Sequence, residues 1–425
     1  MAAFSLRDGQ KVAAHTHHVN RRSRRAAARR RDALGIAEIN VSADGDDDNQ
    51  GQKSKYASHL GLLLAGMITC CIAATLRKVR DLANEGAIRV GVVGVGSFGR
   101  NHARIYHDLQ KQGQGVELVG VFDQETARAQ AVAGQFGCSA FATVEDLFGR
   151  VEAASVAVPT VHHRSVAATL MAAGIDVLIE KPLAPSLGEA DDLISLARAN
   201  QRVAQVGHLE RFNPAVKATI PLLTKPMFFE VHRLSVFSPR SLDVDVVLDL
   251  MIHDIDVVLS FVKSPVKEIR AVGLPVVSEK VDIANVRMEF DSGCVANLTA
   301  SRISTERVRK LRFFQPREYV SIDYGRQDVF QIRVTQEEKF SLHSLMTFAE
   351  SPSSSNVPIP GVTLNRPRVE TEEPLQAELK SFLDAVRHRS RPVVSLEDGR
   401  NALSAALSIL SAIEEHARRA KLHSL

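Results

Sequence analysis

The sequence predicts an α/β fold class. An N-terminal Rossmann domain with a parallel sheet comes first, then an α+β domain with a large, mostly antiparallel open sheet. Three observations predict it. From Ile88 to Val206 short apolar runs alternate with helix-forming stretches, the pattern of parallel strands joined by right-handed crossovers. A glycine-rich turn, Gly94-Val95-Gly96-Ser97-Phe98-Gly99, falls between the first strand and the first helix. Beyond about Arg211 the alternation gives way to longer strand-like runs with a hairpin signal.

The 425 residues suffice for two domains with separate cores. An apolar content of 45% and a charged content of 24% are ordinary globular values. The net charge of +4 is small, and much of the positive side sits in RRSRRAAARRR at 21–31, partly offset by Asp44 and Asp46 to Asp48. Nucleic-acid binding would call for a basic face on a folded module, so no nucleic-acid partner is expected from a basic leader. Cys70, Cys71, Cys138 and Cys294 lack metal-ligand spacing, which points away from a zinc site or a disulfide framework and towards a reducing cytoplasm. His162 and His163 are adjacent, with no complementary carboxylate or thiolate cluster, so no metal is expected.

The expected organisation has three parts. Residues 1–87 are a leader, disordered and basic, with one apolar helix. Its uncharged run from Leu60 to Leu76 is borderline in length for a membrane span and too deep for an ordinary signal peptide. Three readings of it stand: a membrane anchor, a helix packed on protein, or upstream sequence read into the frame. Residues 88–210 are the Rossmann domain. IRVGVVG, VELVGVFD, ASVAVPT, DVLIEKP and Arg202 to Val206 read as strands; SFGRNHARIYHDLQKQ, TARAQAVAGQF, HRSVAATLMAAG and Leu187 to Asn200 read as helices. Residues 211–425 are the α+β domain. FFEVHRLSVF is a strand, VRMEFDSGCVANLTAS a hairpin turning at Asp291-Ser292-Gly293, and SIDYG and FQIRVTQ are further strands. SPSSSNVPIPG is a loop. Two helices follow, Pro374 to Arg387 and Leu396 to about Lys421, the second opened by a capping signal at Ser395.

The glycine turn points to a dinucleotide. Gly94 permits the tight turn, Gly96 lets the backbone approach a pyrophosphate, and Gly99 allows the helix to pack closely. The helix N-terminus, opening at Ser97 and Phe98, offers N–H groups to the phosphates. Asp123 ends the second strand, 24 residues after Gly99, where its carboxylate can hold the adenosine ribose hydroxyls and repel a 2′-phosphate. With no arginine immediately after it, NAD is favoured over NADP.

Ligands of such sheets bind at the carboxyl ends of strands, and Glu180-Lys181-Pro182 lies at one. Asp249 and His253 are spaced to share one face of a helix. A histidine there can accept a proton near neutral pH.

The set GVGSFG, Asp123, AVPT (with Pro159 and Thr160) followed by His163, Glu180-Lys181-Pro182 and Asp249-xxx-His253 resembles the glucose–fructose oxidoreductase/inositol dehydrogenase family. The resemblance covers about Ile88 to Lys421. It implies oxidation or reduction of a sugar carbon with NAD, with Lys181, Asp249 and His253 as catalytic residues. It implies cofactor contacts from Gly94, Gly96, Ser97, Phe98, Gly99, Asp123, Pro159, Thr160, His163, Glu180 and Lys181. A narrower resemblance, to the bacterial UDP-N-acetylglucosamine 3-dehydrogenases of lipid A biosynthesis, rests on GHLERFNPA (207–215), RLSVFSPR (233–240) and DLMIHDID (249–256). It implies a nucleotide-sugar substrate held by His208, Arg211, Asn213, Arg233 and Arg240, the arginines contacting the diphosphate. A dimer or tetramer paired through the open sheet face is expected on the same ground. Two other readings stay open: a dehydrogenase of a free sugar or polyol such as inositol, and a cofactor-sensing protein without catalysis.

In the implied reaction Lys181, coupled with His253, takes the C3 hydroxyl proton, and Asp249 orients His253 or holds a sugar hydroxyl. A lysine of pKa about 10.4 is a poor base at neutral pH. It must be depressed by its surroundings or act as a donor to the developing alkoxide.

Overall fold

The computed structural model describes residues 86–238, 244–334 and 361–421. The leader up to residue 85, Arg240, most of the 351–361 loop and the last two residues of FQIRVTQ lie outside the described residues.

Two sheets lie within a single compact unit. The first contains β1 (Ile88–Val93), β2 (Val116–Phe122), β3 (Ser139–Phe141), β4 (Ala153–Val156), β5 (Asp176–Glu180) and β6 (Ala204–Gly207). They run in the spatial order β3-β2-β1-β4-β5-β6, every pair parallel. This is the doubly wound order, which opens a crevice outside the carboxyl ends of the neighbouring strands β1 and β4, where the strand order reverses. Helices α1 (Ser97–Lys111), α2 (Thr126–Phe136), α3 (His163–Ala172) and α4 (Leu187–Ala199) cover the faces. The central strands are apolar because both faces are enclosed: Val90, Val92, Val93, Ala154 and Val156 are buried.

After the short helix α5 (Pro214–Thr219) comes β7 (Phe228–Val236), and a π-helical turn, Val247–Met251, leads into α6 (Ile252–Val262). The second sheet adds β8 (Val266–Leu274), β9 (Ile283–Phe290), β10 (Val295–Ser304), β11 (Val308–Gln315), β12 (Glu318–Asp323), β13 (Asp328–Val334) and β14 (Val362–Asn365). Their order is β14-β13-β12-β11-β7-β10-β9-β8. All pairs are antiparallel except β7 with β10. Burial alternates along β9 and β7, as a sheet covered on one face requires. The inner face, with Phe229, Val231, Met288, Leu298 and Phe313, shares a core with Ile252, Ile255 and Val258 of α6.

Two helices close the described chain: α7 (Pro374–His388) and α8 (Leu396–Arg419). A capping box between Ser395 and Asp398 starts α8, as the sequence predicts. Although α7 follows the second sheet in sequence, Leu379, Phe382 and Leu383 pack into the core of the first, beside Val90 and Ile105. α8 bridges the two: Leu403 joins the first domain's core, and Ala406 and Ile409 the second's. The domains are thus stapled by the end of the chain.

The hairpin at 286–301 forms with its turn at the expected place. Other boundaries differ. β4 stops at Val156, so Pro159 and Thr160 fall in a turn and a short 3₁₀ segment (Thr160–His162) rather than in the strand predicted to reach them. β3, β8 and β11 have no strong sequence signature. β3 is three residues long; Lys267, Glu268 and Arg270 interrupt β8, and Arg309, Lys310 and Arg312 interrupt β11.

Candidate active site

The glycine turn forms as its residues demand. Gly94 has φ of +84°, and a Cβ there would meet the Ala157 carbonyl oxygen at 2.7 Å. A Cβ on Gly99 would collide with the Gly94 carbonyl oxygen, whereas one on Gly96 would point into open space. The turn thus excludes side chains where helix and strand meet and leaves room where a pyrophosphate would lie. Ser97 and Phe98 are exposed at the start of α1. A cavity of about 650 Å³ extends from Gly94 and Gly96 past Asp123 to Pro159 and His162. These residues fit NAD.

Asp123 is buried at the end of β2. Its Oδ2 accepts from Val95 N–H at 2.8 Å and its Oδ1 from Glu125 N–H at 2.9 Å. The carboxylate therefore fastens the glycine turn to the second strand. It also has an arginine partner the sequence reading overlooked: Arg128 Nη1 donates to Oδ1 at 3.1 Å, and Arg128 also pairs with Glu125. Five residues away along the chain, Arg128 is brought back by the first turn of α2.

Glu180 ends β5, Lys181 follows it directly, and the two point different ways. Glu180 is buried and meets His102 Nε2 of α1 at 3.0 Å; His102 Nδ1 meets Ser155 Oγ, which Tyr106 also reaches. This buried chain sets the strand end against the first helix. Lys181 points across to the second domain, where its Nζ donates to the backbone oxygen of Asp249 at 2.7 Å and lies 3.5 Å from its Oδ1. His163 does not offer a free nitrogen to a cofactor. Its Nδ1 faces the Pro182 carbonyl and its Nε2 the Val158 carbonyl, each at 2.9 Å, so it braces the two loops that frame the crevice.

Asp249 and His253 were expected one α-helical turn apart. Instead the helix is wound wider at this point: Asp249 lies in the π-helical turn, where Ile252 N–H donates five residues back to Val247. Such turns recur at functional sites. Among the described residues Asp249 makes no hydrogen bond to His253; its partner is Lys181. His253 is buried with Nδ1 unpartnered. His208, just after β6, is buried with both ring nitrogens unpartnered, and its ring stands edge-on to His253 with centroids 6.3 Å apart. Burial, then the charge of Lys181, holds His253 well below the usual imidazole range. Burial, then Lys181 and Arg211, pushes His208 down to about 3. Two neutral imidazoles, able to accept a hydrogen bond or a proton, therefore stand with Lys181.

The other expected substrate contacts have different roles. Arg233 is 3% exposed. Its Nε and Nη2 grip Asp254 at 2.6 and 2.9 Å, and its Nη1 donates to Glu210 at 3.0 Å. No face of it is left for a phosphate. Asn213 caps α5 through Ala215 N–H and donates to Glu210 and the Tyr324 carbonyl. The Asn-Pro pair at 213–214 is the N-cap signature that would have told this. Arg211 reaches Asp256 Oδ1 at 3.4 Å and the Val393 carbonyl at 3.3 Å. Only His208 of this group stands in the site with its polar atoms free, and Arg240 lies outside the described residues.

Two domain models match the chain: an oxidoreductase family with an NAD-binding Rossmann fold over residues 88–208, and the GFO/IDH/MocA C-terminal domain over 231–317. The UDP-N-acetylglucosamine 3-dehydrogenase of Acidithiobacillus ferrooxidans is 35% identical over 333 residues, covering 78% of this chain and 99% of that one. A solved structure of that enzyme superposes with a TM-score of 0.68 at 34% identity, over 77% of this chain and 98% of that one. Inositol 2-dehydrogenase of Rubrobacter xylanophilus is 33% identical over 196 residues, 44% of this chain and 56% of that enzyme. With the glycine turn, the strand-end lysine and the second sheet all in place, the chain belongs to the Gfo/Idh/MocA family of NAD-dependent oxidoreductases.

Proposed function

We propose that this protein oxidises the C3 hydroxyl of a UDP-N-acetylhexosamine, UDP-N-acetylglucosamine, to the 3-keto sugar. It would serve amino-sugar formation for lipid A in the cytoplasm, as a homo-oligomer. The observation that carries the reading is the meeting of Lys181 with Asp249 beside two neutral histidines. The likeness to the Acidithiobacillus enzyme, which spans nearly all of that chain, supports the choice of substrate.

NAD supplies the hydride acceptor when bound. Gly94, Gly96 and the start of α1 would hold its phosphates, and Asp123 would hold its adenosine ribose. The Asp249 carbonyl and carboxylate fix the direction of the Lys181 amino group, which meets the reacting hydroxyl. His253, kept neutral, takes up the hydroxyl proton. His208 accepts a hydrogen bond from a neighbouring sugar hydroxyl.

The likeness to inositol dehydrogenases favours a free polyol as the second reading. Thermal unfolding with NADH present separates the two. Protection by UDP-N-acetylglucosamine and none by myo-inositol supports the nucleotide sugar; the reverse result replaces it with the polyol.

A further inference from the structure

Arg309 stands near the start of β11, directly opposite Arg233 of β7. Facing residues of antiparallel neighbours point to the same side of a sheet, and like charges so placed repel. Arg233 lies on the inner face with Phe229 and Val231, so Arg309 does too, in line with Leu311 and Phe313. The two arginines are treated differently. Arg233 has two carboxylates, Asp254 and Glu210. Among the described residues the guanidinium of Arg309 has no hydrogen bond and no ion pair, and its Nε is a buried donor without a partner. A part-buried cation without a counter-ion is costly, and an unsatisfied buried donor in a folded protein calls for a cause.

The cause lies in what Arg309 faces. Arg233, opposite Arg309 across the two strands, grips Asp254, the residue after His253 on α6, so the guanidinium of Arg309 lies on the side of the sheet that faces His253. In a nucleotide sugar the carbon bearing the diphosphate is only two bonds from C3. A substrate seated with C3 at Lys181 and His253 brings its phosphates within reach of the rim of the site. Of the arginines near it, Arg211 and Arg233 are already engaged.

We propose that Arg309 binds the diphosphate of the substrate and thereby selects nucleotide sugars over free sugars. The planar fork of its guanidinium suits phosphate oxygens. This rests on the nucleotide-sugar reading above and deepens it.

The test compares wild type with Arg309→Met. Initial rates are measured with UDP-N-acetylglucosamine, inhibition constants are measured for UDP and for inorganic diphosphate, and NADH binding reports that the fold is intact. Loss of one charge-assisted contact corresponds to about 10- to 100-fold. The KM and the UDP inhibition constant should rise by about that factor, while kcat and NADH affinity hold. If Arg309→Met does not bind NADH, Arg309→Gln, which keeps the polar bulk, replaces it. Equal KM and equal UDP inhibition in wild type and variant overturn the role of Arg309 and leave the proposed reaction standing. A wild type that neither turns over the nucleotide sugar nor is inhibited by UDP overturns both.

Discussion

Lys181 Nζ lies 2.7 Å from the backbone oxygen of Asp249. One residue directly follows a strand of the nucleotide-binding sheet, and the other sits in a π-helical turn at the entrance to α6. The contact therefore joins the two domains at the point where chemistry is proposed, and a main-chain atom makes it. A substitution at Asp249 removes the carboxylate but leaves the closer of the two acceptors. The strand, the turn and α6 together fix the lysine's direction.

Arg233 tests whether the buried ion network is structural. Replacing it with methionine leaves Asp254 and Glu210 buried without their cation. Breaking a buried pair in this way costs about 3–5 kcal/mol. Urea unfolding of Arg233→Met should show that loss at an unchanged m-value. A variant of wild-type stability with a weakened KM would instead restore Arg233 as a substrate ligand.

His208 predicts a pH dependence of stability. Its folded pKa, about 3, lies below the ordinary value of about 6.5. Between those values the unfolded chain binds a proton that the folded chain does not. The contribution is complete above about pH 6.5 and is lost progressively as pH falls towards 3. Asp256, pushed up to about 7 by burial, contributes the opposite slope, so the comparison with His208→Gln isolates the histidine. The melting temperature of the variant should fall less steeply than that of wild type from pH 7 to pH 5. Parallel profiles would show that His208 is not held neutral.

Asp123 governs the cofactor. Asp123→Ala removes the acceptor of Val95 N–H and releases Arg128 from an ion pair. NADH affinity should drop by about 10-fold or more, in line with a lost charge-assisted hydrogen bond. NADPH affinity should rise relative to NADH, because the repelling charge is gone and a cation is freed. Fluorescence titration of both cofactors measures the ratio; an unchanged ratio would remove Asp123 from the ribose site.

What was legible in the sequence follows the kind of constraint each residue obeys. Gly94 and Gly99 were readable because backbone sterics admit no other residue there. Lys181 was readable from its place at a strand end between Glu180 and Pro182, and Ser395 from the local capping pattern that starts α8. Arg233 was misplaced because a sequence shows a charge but not its partner. The carboxylates that enclose it are 21 and 23 residues away along the chain. Arg309 was passed over for the converse reason: it lies in a strand whose charges hide the apolar alternation, and its lack of a partner among the described residues is visible only once β11 is laid against β7. The widening at Asp249 has no residue signature in the sequence.

The most direct test of the central claim is reduction of NAD by UDP-N-acetylglucosamine, followed at the absorbance of reduced nicotinamide with an aminotransferase removing the keto sugar. Wild type should generate NADH, and Lys181→Met should be slower by about 10²- to 10⁴-fold, the range of general acid–base help, while binding NADH as wild type does. NADH formation by Lys181→Met at the wild-type rate would contradict the account, because the lysine at the end of β5 would then have no part in the reaction.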